Sequence, residues 1–92
     1  MKTIKILGHD VKVEVVSHLQ TDGNMGTNCV YNNKIQLSAE LSGSAINATL
    51  LHEVIENICN NCQLEIDHSV LTVLGEVLYQ VLKDNPNLFE DE

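Results

Sequence analysis

"LLHEVIENICNNC", residues 50–62, is where the hydrophobic period of the chain changes. Ala48, two residues before it, falls with Leu51, Ile55 and Ile58 within about a third of the circumference at roughly 100° per residue, which predicts a helix over 44–61. Ser42 or Ser44 is the expected N-cap, and Asn60 and Asn61 are the expected breakers. Beyond them Asp67 can cap a second helix over 67–84, which Pro86 keeps from continuing. Its apolar residues, among them Val70, Leu71, Val73, Leu74, Val77 and Leu78, cover most of the circumference, the pattern of a helix buried on several sides. The short connection predicts that the two helices run antiparallel.

Working back from the helices, the period is two. "TIKILG" (3–8) and "VKVEVV" (11–16) alternate apolar and charged groups around Gly8-His9-Asp10, the expected turn of a hairpin. "TDGNMGTN" (21–28) has no period and reads as a mobile loop. "CVYNNKIQLS" (29–38) sets two short apolar runs around Asn32-Asn33, and asparagine tolerates the positive φ of a tight turn. The expected fold is α+β: a small antiparallel sheet of three to four strands over about 2–38, followed by an antiparallel pair of helices. One domain spans 1–86, and 87–92 is an acidic, frayed tail. No repeat or linker interrupts it.

The 92 residues suit a single core. A formal net charge of -8, from 13 acidic against 5 basic side chains, repels phosphate backbones and argues against nucleic acid as a partner. Nowhere do about eighteen apolar residues run together as a membrane span requires, and the first residues lack the pattern of a signal peptide. The expectation is a cytoplasmic protein with no membrane partner, whose three cysteines are reduced thiols. Nothing in the pattern fixes an oligomeric state.

On a helix, residues four apart project from one face, so His52 and Glu56 can point at one metal ion. A carboxylate oxygen is a normal zinc ligand, and Glu53, about 100° round, can reach a water at the metal without being a ligand itself. A third ligand must come from elsewhere, and His68 at the start of the second helix is the nearest supplier. His68, Thr72, Gly75 and Tyr79 share one face of that helix, and Gly75 weakens it unless the first helix approaches closely there. By itself His-Glu-x-x-Glu is a weak signal that exposed faces of amphipathic helices often carry. Cys59 lies on the His52 and Glu56 face, so Cys59 and Cys62 offer a rival thiolate site, although they read better as packed small apolar groups. His9 and His18 read as solvated.

Read together, "TLLHEVIE" (49–56), "LEIDHSVLTVL" (64–74) and "LYQVLKDNP" (78–86) resemble a family of small phage and prophage proteins with a minimal zincin-like fold, a reduced metallopeptidase core. "KILGHDVKVEVV" (5–16) and "DGNMGTNCVYNNKIQL" (22–37) fit its opening strands, so the resemblance spans nearly the whole chain. It implies one zinc ion held by His52, Glu56 and His68, with Glu53 as general base of a peptide or amide hydrolase. It also implies that the strand before the motif helix, about Lys34 to Ser38, pairs with an extended substrate, and that the protein works in a host cytoplasm. The competing expectation is a non-catalytic acidic binding protein, its metal structural or absent, that engages or inhibits a host or phage protein.

Overall fold

Alternation in the first sixteen residues does build a hairpin: β1 (Lys2–Ile6) and β2 (His9–Val16) pair antiparallel from Lys2 opposite Val13 to Ile6 opposite His9. The computed structural model describes residues 2–17, 26–29 and 33–90. The turn falls on Leu7 and Gly8, at φ 52 and 82, one residue earlier than expected. Positive φ at both central residues matches the right-handed twist of the flanking strands.

β3 (Gly26–Cys29) and β4 (Lys34–Ser38) complete a four-stranded sheet in the order β1-β2-β4-β3. β4 is parallel to β2 and antiparallel to β3, so the sheet is mixed and not antiparallel throughout. After β2 the chain places β3 at the outer edge and returns through the gap. Gly26, Thr27 and Asn28, read as loop, are therefore strand, while 21–25, His18 and Asn32 lie outside the described residues. Asn33 takes the expected positive φ, 47°. Because both edges of β4 are already paired, Lys34–Ser38 has no edge to offer a substrate; among the described residues, the strand beside α1 with an unpaired edge is β3.

One face of the sheet carries Ile6, Val11, Val13, Ile35 and Leu37, all nearly fully buried. α1 (Ser44–Cys62) lays Ile46, Leu50, Val54 and Ile58 on them. Only Ile58 belongs to the stripe read from the sequence; Ala48, Leu51 and Ile55 lie round the helix toward His52, the side on which α2 (His68–Asp84) packs. A helix held between a sheet and a second helix needs two apolar stripes, and the sequence pattern blends them.

Neither serine caps α1: Gly43, at φ 57, occupies the N-cap with no side-chain bond. Nor do the asparagines break it, since Asn61 donates back to the Asn57 carbonyl (2.9 Å) and Oδ1 (2.8 Å). The helix ends where Gln63 turns left-handed at φ 57 and the Leu64 N–H donates to the Cys59 carbonyl. Asp67 does sit at the N-cap of α2, though its side chain makes no capping bond.

Tyr79 meets Asn47 and Gly75 meets His52, so the helices run antiparallel as expected. α2 is not buried on several sides. It packs on α1 alone, burying Leu71 and Gly75, while Val70, Val73, Leu74, Val77 and Leu78 stay between 38% and 59% exposed. The described chain has no further layer to cover that face. Among the described residues, no helix is long and apolar enough to cross a membrane.

Candidate metal centre

The period of α1 brings His52 and Glu56 together as expected, and Glu53 joins them: each of the three brings one donor atom to within 4.8 Å of the other two. The His52 Nε2 stands 3.6 Å from a Glu56 oxygen and 3.8 Å from a Glu53 oxygen. Both distances are too long for hydrogen bonds. Two ligands of a tetrahedral zinc ion, each bonded at about 2.1 Å, stand about 3.4 Å apart, so the spacing suits a shared cation. This donor group could hold a metal ion.

His68 arrives from α2. Its ring centre lies 5.0 Å from that of His52, with the planes at 61°. Two imidazoles on one tetrahedral zinc have ring centres about 5 Å apart, from the same bond lengths. His68 is the more exposed of the pair and stands outside the tight group of three, while Glu53, read as a base and not a ligand, stands inside it.

Gly75 makes the approach possible. A Cβ there would stand 3.2 Å from the His52 Cα and 3.3 Å from its backbone nitrogen, so the helix backbones touch where the sequence reading required a reason for a glycine. On a free helix Gly75→Ala would gain about 1 kcal/mol from propensity. Here the neighbour is backbone that cannot rotate away, and a net loss of about 1–2 kcal/mol is expected in urea denaturation.

Burial and charge divide the site. Glu53 is only 5% exposed; that burial, with the Glu56 carboxylate beside it, pushes its pKa from 4.5 up to about 7. Burial also lowers His52 from its ordinary 6.5, His68 adds to the lowering and Glu56 opposes it. A lowered histidine is neutral near pH 7, the form that binds metal. The arrangement thus supplies a neutral imidazole, a carboxylate and a carboxyl group that trades its proton near neutrality.

Gly26 is a contact that the sequence reading missed. A Cβ on it would come within 2.9 Å of Thr49 Cγ2, 3.1 Å of Glu53 Cγ and 3.2 Å of a Glu53 oxygen, so β3 crosses directly over the Glu53 side chain. A glycine inside a polar stretch was its only signal. Cys59 is a buried free thiol and Cys62 an exposed one. Beyond the helix turn, a cleft of about 450 Å³ opens beside Glu56 and His68.

No protein-family model, no curated protein and no solved structure matches the chain.

Proposed function

We propose that this centre holds one zinc ion, with His52, Glu56 and His68 as ligands, and that the protein is a zincin-like hydrolase of peptide or amide bonds. The observation that carries the reading is Glu53: a nearly fully buried carboxyl group 3.8 Å from the His52 imidazole and next to Glu56, with its pKa at about 7. Structural glutamates are not usually kept in that state, whereas general acid-base catalysis works best with a group that titrates near the operating pH.

Zinc at this position supplies a Lewis acid for the carbonyl and brings the pKa of water toward neutrality. Glu53 would take the proton of an attacking water within its reach and return it to the leaving amine. Next to a cation its carboxyl ionises more readily, so the base is in its working form when the site is filled. His52 and His68, on different helices, hold the centre at the seam between them. An extended peptide has the outer edge of β3 to pair with, and Gly26 sets that edge against Glu53.

Gly26→Ala tests that juxtaposition. Since the clashing groups are flexible side chains, the fold should lose less than about 1 kcal/mol, while displacement of Glu53 should lower kcat/KM by about 10²-fold. The proposal as a whole is tested by elemental analysis of protein purified without added metal. One zinc per chain is expected, lost in His52→Ala, Glu56→Ala and His68→Ala; full zinc in His68→Ala removes that residue from the ligand set.

A second reading has its own observation, the apolar outer face of α2, where Ser69, Val70, Val73, Leu74 and Val77 line a shallow groove. On it, the protein is a non-catalytic acidic module that engages another protein through α2. The readings part on chelation: hydrolysis stops with the metal removed, whereas capture through α2 survives and is lost in Val73→Glu/Val77→Glu.

A further inference from the structure

The cleft beside the centre shares two of its walls with it, Glu56 and His68. Its lining includes three apolar side chains, Leu64, Ile66 and the buried Leu71. It also includes three carboxylate residues, Glu56 with the exposed Glu65 and Asp67. At about 450 Å³ it has room for a long side chain.

The charge around it runs one way. All five basic side chains are lysines: Lys2, Lys5, Lys12 and Lys34 lie on the sheet, and Lys83 lies at the far end of α2. Fifteen helical residues separate Lys83 from His68, about 22 Å of rise, more than two Debye lengths at physiological salt. The N-terminal end of α2 adds about half a positive charge, against three carboxylates. A ligand that fits these walls therefore combines an aliphatic stem for the apolar lining with a cation for the carboxylates.

We propose that this cleft seats a lysine or arginine side chain of the substrate, next to the bond presented to the His52 centre, with Glu65 and Asp67 pairing its cation. The assignment rests on the hydrolase reading for its substrate, but not for the binding itself. Lysine and arginine stems lie along apolar surface while the charged head stays in water, and these walls offer both an apolar surface and carboxylates. Glu65 and Asp67 are thus specificity-determining residues that take no part in holding metal.

Two arms separate the cleft from the chemistry. In the first, zinc-free protein is titrated with Nα-acetyl-lysinamide, Nα-acetyl-argininamide and Nα-acetyl-norleucinamide while backbone amides are followed by NMR. The two cations should shift the amides of residues 64–71, bind about tenfold more tightly than norleucinamide and weaken with salt. Glu65→Gln/Asp67→Asn should bring all three to the norleucinamide level while keeping one zinc per chain. Equal binding of lysinamide and norleucinamide, or no effect of the double variant, overturns the proposal. In the second arm, zinc-loaded protein is given paired peptides with lysine or norleucine at each position. Cleavage beside lysine about tenfold faster than beside norleucine supports the cleft. Equal cleavage of the pair overturns it and leaves the hydrolase reading standing; lysinamide binding with no cleavage of any peptide does the reverse.

Discussion

Glu53→Gln should keep one zinc per chain and lower hydrolysis by about 10²–10⁴-fold, the contribution of a positioned general base. Glutamine matches glutamate in shape, so it fills the space under Gly26 and beside Thr49, but it cannot take a proton from water. A peptidase activity that survives the substitution would show that Glu53 is not the base. The same variant should change stability in the opposite sense. Without metal, Glu53 titrates at about 7 when folded against an ordinary 4.5, so between these values the folded chain holds a proton that the unfolded chain has lost. The raised pKa leaves stability untouched below pH 4.5, and stability is lost as pH rises through about 7. The loss approaches about 3 kcal/mol above that, from about 1.4 kcal/mol per pH unit. Glu53→Gln removes the slope, so at pH 8 the chelated variant should be the more stable protein in urea denaturation. A residue that costs the empty fold this much and is tightly packed all the same has a reason outside folding.

Zinc should in turn stabilise the folded protein. At free zinc about a hundredfold above its Kd, linkage gives about 2.7 kcal/mol. The gain should vanish in His52→Ala, persist in Glu53→Gln and fall sharply in His68→Ala, read as zinc-dependent shifts in the denaturation midpoint. A gain of equal size in wild type and His52→Ala would place the ion elsewhere. Since Glu53 and Glu56 repel each other when both are ionised, a bound cation also relieves the strain that raises Glu53, and the stabilisation should grow as pH rises through about 7.

The parts of the site that lie on one helix were legible in the sequence, because four-residue spacing is a property of the backbone and holds wherever the helix is placed. His52 and Glu56 meet for that reason, and Glu53, one residue on, closes the group of three. Gly75 was legible by its cost: a glycine in a helix interior asks for a close neighbour, and the His52 backbone is that neighbour. The alternation of Ile35 and Leu37 likewise marked β4 as core-facing. Strand order was not legible. Whether β4 lies at an edge or between β2 and β3 depends on where the chain crosses, and alternation is the same in both cases. β3 escaped because "GTNC" has no apolar rhythm; it is strand through pairing with β4, not through propensity. The helix caps failed for a related reason, since backbone geometry at Gly43 and Gln63 ends α1 where side-chain bonds were expected. α2 was misread because all-round hydrophobicity predicts burial only if some element exists to provide it, and the described chain supplies α1 alone.

The exposed face of α2 has a further consequence for the centre. His52, Glu53 and Glu56 belong to a helix seated on the sheet, but His68 belongs to a helix held by Leu71, Gly75 and little else. Proteins open in cooperative units, and the unit with the fewest buried contacts leaves first. Here that unit carries a single donor. For an ion held as proposed, lifting of α2 would remove one ligand and admit solvent on one side while the other donors keep their places. Exchange of such an ion would then be set by the breathing of one helix and not by unfolding of the whole chain, so the folded protein could give up and reacquire a metal.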